Sequence, residues 1–232
     1  MKTVLITGAN KSIGFETARQ LLQQGYYVYL GSRDIKKGQQ AVSQLRSEGL
    51  NEVEPIEIDV DDSRSIKAAR EVLGQKIQVL DVLINNAGIY RGSDFGTLDY
   101  TAWAESFKVN SMAPLKMAEA FTGHIAAGQL KKIATITSKM GSIDDNTSGG
   151  SYIYRSSKTA VNMVMKSLAI DLQPKGISAV TLHPGWVQTD MGGSNALINT
   201  RQSVSGMREV IDHLTLANSG RFIAYDGKEI AW

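Results

Sequence analysis

The stretch that decides the fold is Thr7-Gly8-Ala9-Asn10-Lys11-Ser12-Ile13-Gly14. It follows the apolar run Val4-Leu5-Ile6, which is typical of a buried strand, and precedes an amphipathic stretch at residues 15–24 that predicts a helix. Glycines between a strand and a helix allow a tight turn and a close approach to the backbone, and the start of the helix favours an anion. The sequence therefore predicts a phosphate-binding loop at the first turn.

Outward from this loop, short apolar runs alternate with amphipathic stretches. We expect further strands at residues 27–30, 53–58, 79–84, 133–137, 177–182 and 222–223, and helices at residues 35–47, 64–73, 100–124 and 154–172. This alternation indicates βαβ units and a mainly parallel sheet. The predicted fold is one α/β domain over residues 1–232, a Rossmann-type doubly wound sheet with helices on both faces. Residues 142–151 are expected to form a loop, and residues 191–205 a mobile flap.

Composition limits the classes of function. The 232 residues are 42% hydrophobic and 21% charged, with a net charge of +2 and no cysteine. The lack of cysteine excludes disulfides, thiolate catalysis and cysteine-ligated metals, and we expect no metal site. Without a long basic run, an apolar run near ~20 residues or a secretion signal, we expect a cytoplasmic protein that binds neither nucleic acid nor membrane.

Tyr154 and Lys158 are candidates for the chemistry, because residues four apart share one face of a helix. A nearby ammonium stabilises a phenolate and lowers the pKa of a tyrosine from its usual value near ~10. This spacing alone is common and usually marks two exposed helix residues. It gains weight from Ser138, which follows a predicted strand at the expected crevice, and from Asn110, a mediocre helix former within a predicted helix.

These motifs resemble the short-chain dehydrogenase/reductase family over nearly the whole chain. Residues 7–14 are similar to its TGxxxGxG fingerprint, with Ser12 at the middle glycine, and residues 85–88 match its NNAG turn. Asn110, Ser138, Tyr154 and Lys158 match its catalytic tetrad in order and approximate spacing. The resemblance implies that Ser138 and Tyr154 contact the substrate oxygen and that Tyr154 exchanges the proton. It also implies that Lys158 tunes Tyr154 and that Asn110 holds a water.

The resemblance also implies a nicotinamide cofactor, and two basic residues favour NADP(H). Arg33 follows the second strand, where a carboxylate would repel a 2′-phosphate and a guanidinium can bind it, and Lys11 adds a second positive charge. Asp34, one residue further on, is the feature that argues against NADP(H). Ser12 narrows the approach to the pyrophosphate, although its hydroxyl could donate to a phosphate oxygen. The implied cofactor contacts are Gly8, Asn10, Lys11, Ser12, Ile13, Gly14, Arg33, Asp59, Val60, Asn86, Ala87, Gly88, Tyr154, Lys158, Pro184, Gly185, Val187 and Thr189.

Residues 149–158, 183–193 and 225–232 resemble the branch of the family that contains C-factor, sniffer and carbonyl reductases. This implies NADPH-dependent reduction of an aldehyde or ketone, and the candidate substrate contacts are Ser138, Ile143, Tyr152, Tyr154, Trp186 and Met191. For Ile143, Tyr152, Trp186 and Met191, ordinary apolar packing is the alternative. His183 is expected to pack or cap rather than act as a base.

Two other functions stay open: an NADP-dependent alcohol dehydrogenase acting on hydroxysteroids or sugar alcohols, and a cofactor-binding signalling protein of C-factor type. The expected partner is a small carbonyl or alcohol substrate. Members of the family are often oligomers built from the two long helices, which predicts a homodimer or homotetramer.

Overall fold

Seven strands form one parallel sheet in the computed structural model, which describes residues 1–232. The strands are β1 (Thr3–Ile6), β2 (Tyr27–Ser32), β3 (Val53–Glu57), β4 (Val82–Asn85), β5 (Lys132–Ile136), β6 (Ser178–His183) and β7 (Arg221–Ala224). Their order is β3-β2-β1-β4-β5-β6-β7, and every neighbouring pair is parallel. This confirms the doubly wound sheet that the sequence predicts.

Seven α-helices flank the sheet: α1 (Ser12–Gln23), α2 (Ile35–Ser47), α3 (Ser63–Lys76), α4 (Tyr100–Phe107), α5 (Ala113–Ala126), α6 (Tyr152–Asp171) and α7 (Thr200–Asp212). Side chains of a strand alternate between faces. Val4 and Ile6 therefore join the core formed with α1, α2 and α7, whereas Leu5 joins the core formed with α3, α5 and α6. Burial on both faces explains why these strands are continuous apolar runs. No helix combines the length and the apolar character needed to cross a membrane.

The direction of strand progression reverses at β1, which lies between β2 and β4. Ligands of such sheets bind in the crevice outside the carboxyl ends of the strands at this point. The loop at residues 7–14 follows β1, and residues 86–88 follow β4. The fold therefore brings the predicted phosphate loop and the NNAG turn to the two sides of one crevice.

The helix predicted over residues 100–124 is interrupted. One turn of π-helix, Lys108–Met112, joins α4 to α5 and contains Asn110. The helical prediction is confirmed over all of residues 100–124, but the helical periodicity did not reveal the wide turn at Asn110. Such turns occur frequently at functional sites.

The flap predicted at residues 191–205 is only partly a loop. Thr200 begins α7, and the capping residue Asn199 accepts a hydrogen bond from the backbone N–H of Gln202 at 2.8 Å. Val204 and Met207 of α7 are buried in the core. The flap prediction was wrong from residue 200 onward. The residues at the start of α7 are mostly polar, so the sequence there shows no apolar helical pattern.

Candidate active site

The loop after β1 is shaped by close contact with the turn after β4. Gly8 has φ +61°, and a Cβ there would lie 3.0 Å from the Cα of Ala87. A Cβ on Gly14 would lie 2.5 Å from the side-chain nitrogen of Asn86. Both positions therefore require glycine, and the backbone of the loop is left open in the way that a dinucleotide site requires.

α1 begins at Ser12 without a side-chain cap, since Lys11 at the capping position makes no such bond. Its first N–H groups are therefore available to an anion. Ser12 has φ +52°, in the left-handed region that favours glycine. The serine thus keeps the backbone conformation of a glycine and adds a side chain, half-buried like the neighbouring Asn10 and Ile13.

The NNAG turn and the phosphate loop are joined by four hydrogen bonds. Thr7 Oγ1 accepts from the backbone N–H groups of Asn86 and Ala87, both at 3.0 Å. Asn86 Nδ2 donates to the carbonyl oxygens of Thr7 (2.9 Å) and Gly8 (3.0 Å). The structure therefore brings the predicted cofactor residues after β1 and β4 into one rigid unit.

The end of β2 presents Arg33 to solvent, and Arg33 takes part in none of the ion pairs of the chain. Asp34 instead caps α2: its Oδ1 accepts from the backbone N–H groups of Lys36 (3.0 Å) and Lys37 (3.3 Å). The carboxylate of Asp34, which argued against NADP(H), is therefore bound to the start of α2. Arg33 is the side chain at this strand end that remains available to a phosphate.

Three other predicted cofactor residues have contacts within the chain. Asp59 Oδ1 accepts from the backbone N–H of Asp61 at 3.1 Å, and Val60 is buried. Lys11 Nζ lies 2.6 Å from the carboxylate of Asp190, and both side chains are largely exposed. Lys11 therefore already has an acidic partner.

Asn110 joins the turn after β4 to α6. Its Oδ1 accepts from the backbone N–H of Ile89 (2.9 Å), and its Nδ2 donates to the carbonyl of Ile89 (2.9 Å) and to Ser157 Oγ (3.0 Å). A Cβ on Gly88 would lie 3.3 Å from Asn110 Oδ1 and 3.5 Å from Lys158 Nζ. Gly88, Asn110 and Lys158 therefore lie side by side.

Tyr154 is buried in the first turn of α6, with its ring edge-on to Tyr90 at a centroid distance of 5.0 Å. Burial raises the pKa of Tyr154 to about 12, the Ser138 hydroxyl opposes this shift, and Tyr90 adds to it. The phenol is therefore protonated throughout the neutral range. Sequence reasoning expected Lys158 to lower this pKa, whereas in this structure burial raises it.

Lys158 is also buried, and its Nζ donates to the carbonyl of Ile136 at 3.1 Å. The ammonium lies 5.7 Å from the centroid of the Tyr154 ring. Burial lowers the pKa of Lys158 to about 8. Desolvation thus disfavours the charged forms of both side chains. At neutral pH a neutral phenol therefore lies beside an ammonium that loses its proton more readily than usual.

Ser138 follows β5 and is half-buried, and its Oγ accepts from the backbone N–H of Met140 at 3.2 Å. The Ser138 hydroxyl is close enough to Tyr154 to lower the pKa of the phenol. The structure thus gathers Asn110, Ser138, Tyr154 and Lys158 at the carboxyl ends of β4 and β5. Their chemical roles remain predictions.

The segment after β6 is held by its own loop. Pro184 precedes Gly185, which has φ +86°. A Cβ on Gly185 would lie 2.5 Å from the side chain of Ile198 and 3.0 Å from that of Tyr225, so this position requires glycine. Buried Val187 forms a β-bridge with Ile198. In the same loop, Thr189 Oγ1 accepts from the backbone N–H of Gly192 at 3.1 Å. The predicted nicotinamide contacts therefore stand on a fixed loop at the carboxyl edge of the sheet.

Four predicted substrate contacts expose large apolar side chains: Ile143 is 71% exposed, Tyr152 39%, Trp186 51% and Met191 52%. Their exposure excludes packing in the core and leaves substrate contact and surface apolar packing as the two alternatives. Tyr90, which contacts Tyr154 directly, was missed by sequence reasoning, and its position two residues after Gly88 is its only signal. A separate cleft of about 790 Å³ between α7 and β7 contains none of the predicted site residues.

Comparison with known proteins is consistent with this geometry. The family model for short chain dehydrogenases matches residues 2–197. The C-signal protein of Myxococcus xanthus is 47% identical over 154 residues, which cover 66% of this chain and 93% of that protein. The 1-hydroxy-2-glutathionyl-2-methyl-3-butene dehydrogenase of Rhodococcus sp. (strain AD45) is 36% identical, and the match covers 100% of both chains.

The crystal structure of an NADPH-bound carbonyl reductase from chicken fatty liver superposes on this fold with a TM-score of 0.92. It is 33% identical in sequence, and the match covers 100% of this chain and 99% of that one. This similarity places the chain in the C-factor and carbonyl reductase branch that its motifs resemble.

Proposed function

The chain belongs to the short-chain dehydrogenase family, and we propose that it reduces an aldehyde or ketone to an alcohol with NADPH. The observation that carries this proposal is the convergence of Ser138, Tyr154 and Lys158 beside a glycine loop open to an anion. A phenol that stays protonated at neutral pH is suited to donate a proton, which is what carbonyl reduction requires.

The residues of this chain contribute binding and proton transfer. The hydroxyls of Ser138 and Tyr154 donate hydrogen bonds to the carbonyl oxygen and orient the substrate. When bound beside these residues, NADPH would supply the hydride for the carbonyl carbon. As negative charge develops on the oxygen, Tyr154 transfers its proton and the alcohol forms. The ammonium of Lys158, 5.7 Å from the Tyr154 ring, stabilises the phenolate that is left until it is reprotonated.

Arg33 supports NADPH as the cofactor. Its exposed guanidinium stands at the end of β2, where a 2′-phosphate can be bound in a fork, while Asp34 is engaged as the cap of α2. Lys11 supplies a second positive charge on the neighbouring loop. The chicken carbonyl reductase, whose structure holds NADPH, supports the same choice.

Two relatives support other candidates. The Rhodococcus protein is named a dehydrogenase, which favours alcohol oxidation on the same residues. The Myxococcus protein is named C-signal, which favours a signalling role. Alcohol oxidation needs the phenolate as base, and a Tyr154 that stays protonated makes it slow at neutral pH.

A panel of aldehydes and ketones with NADPH and NADH, run beside alcohols with NADP⁺, tests the proposal. We expect NADPH-driven reduction to dominate at pH 7. Tyr154→Phe is expected to lower kcat at least about 100-fold while NADPH still binds. Tyr100→Phe is the matched control, because Tyr100 is exposed on α4.

No oxidation of NADPH with any carbonyl compound would refute the reductase proposal, and faster alcohol oxidation at pH 7 would favour the dehydrogenase. A Tyr154→Phe protein that kept a signalling effect in cells without reductase activity would favour the signalling role.

A further inference from the structure

His183 is a titratable side chain beside the site that the proposed reaction does not use. It ends β6, and its Nδ1 accepts a hydrogen bond from the backbone N–H of Lys139 at 3.1 Å. Lys139 directly follows Ser138. The packing or capping role predicted for His183 is confirmed, and its partner lies one residue from a hydroxyl of the candidate active site.

The turn that carries Ser138 is held from two sides. The backbone N–H of Gly141 donates to the Ser138 carbonyl at 2.8 Å, which closes a short 3₁₀ turn. On one side, Thr159 Oγ1 of α6 donates to the Gly141 carbonyl at 2.9 Å, and a Cβ on Gly141 would lie 2.8 Å from the carbonyl carbon of Lys158. On the other side, His183 holds the N–H of Lys139. α6 adds hydrogen bonds from Asn162 to the Gly141 carbonyl (3.3 Å) and from Arg155 to the Met140 carbonyl (3.4 Å), whereas His183 is the contact from the β6 side.

His183 is itself well placed to serve as a fixed acceptor. Its backbone carbonyl accepts from the N–H of Tyr225 at 2.8 Å, which ties the residue to the end of β7. Burial, with Lys139 adding to it, lowers the pKa of His183 to about 4, while Asp145 and Asp226 oppose the shift. The imidazole is therefore neutral at physiological pH. Since Lys139 donates to Nδ1, the ring proton resides on Nε2.

We propose that His183 is a positioning residue, whose Nδ1 fixes the turn at residues 138–141 so that the Ser138 hydroxyl meets the substrate oxygen beside Tyr154. The inference rests on the proposed function, because it assigns Ser138 to carbonyl binding. Without the acceptor, the N–H of Lys139 loses its partner on the β6 side, and the turn keeps its contacts with α6 and the ion pair between Lys139 and Asp145. The Ser138 hydroxyl then deviates from its reactive position, while the phosphate loop after β1 is untouched.

The test compares His183→Ala with His183→Asn. The Oδ1 of asparagine can occupy nearly the place of the histidine Nδ1, so it can accept from Lys139. We expect His183→Ala to lower kcat for a ketone roughly tenfold with an unchanged Kd for NADPH, and His183→Asn to restore kcat to within about threefold of the parent. His213→Asn is the control, because His213 is exposed and its Nδ1 lies 2.8 Å from the Glu209 carbonyl in α7.

Amide hydrogen exchange at Lys139 gives a second readout that needs no activity. We expect faster exchange in His183→Ala and protection close to that of the parent in His183→Asn. Unchanged kcat and unchanged exchange in His183→Ala would overturn the inference, as would an asparagine variant as impaired as the alanine one. If the parent protein reduces no carbonyl compound, the proposed function fails, and altered exchange at Lys139 still shows whether His183 holds the turn.

Discussion

The ammonium of Lys11 and the carboxylate of Asp190 lie 2.6 Å apart and join the loop after β1 to the loop after β6. The two residues are separated by 179 positions in the sequence. The hydrogen bond from Lys11 lowers the pKa of Asp190, so the carboxylate is ionised at neutral pH. Lys11 is also a predicted phosphate contact. Asp190 and a cofactor phosphate therefore compete for one ammonium.

Asp190→Asn is expected to tighten the binding of NADPH. The substitution removes the competing charge and leaves Lys11 free. For an exposed pair of this kind we expect the Kd for NADPH to fall about two- to fivefold at low salt. The gain should shrink as salt screens the charges. Glu229→Gln is the control, since Glu229 forms an exposed ion pair with Arg221. Weaker NADPH binding in Asp190→Asn would show instead that Asp190 helps to hold the cofactor.

Arg33→Ser is expected to reverse the preference for NADPH. Loss of a charge-assisted hydrogen bond to a 2′-phosphate should raise the KM for NADPH about tenfold or more. The KM for NADH, which lacks that phosphate, should change little. Arg64→Ser is the matched control, because the side chain of Arg64 is 94% exposed at the start of α3. Equal use of NADH and NADPH by the parent protein would contradict the role of Arg33.

Lys158→Met is expected to abolish activity and to stabilise the fold at neutral pH. The pKa of Lys158 is about 8 in the folded chain against 10.5 in the unfolded one, so the folded state binds fewer protons between these values. The contribution of Lys158 to the free energy of unfolding therefore rises from pH 8 to 10.5, and below pH 8 the buried ammonium costs at most about 3 kcal/mol.

The hydrogen bond from Lys158 to the Ile136 carbonyl is lost in Lys158→Met, so we expect a net gain of about 1 kcal/mol at pH 7. Urea unfolding at pH 7 and at pH 10 measures it, and the gain should fall at the higher pH. Lys166→Met is the control, since Lys166 lies on the exposed side of α6. A destabilised Lys158→Met protein at pH 7 would show that the ammonium is better solvated than its burial indicates.

The order of strands and helices could be predicted because it is encoded locally. Apolar runs, glycines at turns and polar caps each depend on neighbours in the sequence, and the doubly wound sheet follows from their alternation. The same holds for the gathering of Ser138 and Tyr154, since parallel strands bring their carboxyl ends to one edge. Local patterns therefore specify both the fold and the place where the site forms.

Features that depend on tertiary contacts could not be predicted. The raised pKa of Tyr154 comes from burial, with Tyr90 adding to it, and the pair of Lys11 and Asp190 joins distant parts of the chain. The π-turn at Asn110 is specified by its partners Ile89 and Ser157, which a helical periodicity does not contain. Each of these depends on which surfaces meet after folding, and the identity of a single residue does not carry that information.

Ser12→Gly is expected to stabilise the fold, because Ser12 holds a left-handed backbone with φ +52°. The backbone strain that is relieved outweighs the larger conformational entropy that glycine loses on folding. We therefore expect the free energy of unfolding to rise by roughly 0.5–1 kcal/mol. Lys131→Gly, at φ +54° between α5 and β5, should give a similar gain with unchanged NADPH binding.

Cofactor binding then separates the two effects of the Ser12 side chain. Ser12→Ala keeps the Cβ near the pyrophosphate and loses the hydroxyl donor, so we expect it to weaken NADPH binding about fivefold. Ser12→Gly loses the same donor but opens the approach to the backbone, so its Kd should remain within about threefold of the parent value. If Ser12→Ala binds NADPH as the parent does, the hydroxyl makes no phosphate contact. If Ser12→Gly unfolds at lower urea than the parent, the backbone at residue 12 is not strained. Measuring both variants for stability and for NADPH affinity therefore shows whether the hydrogen bond from the Ser12 hydroxyl offsets the backbone strain and the narrower approach that its Cβ causes.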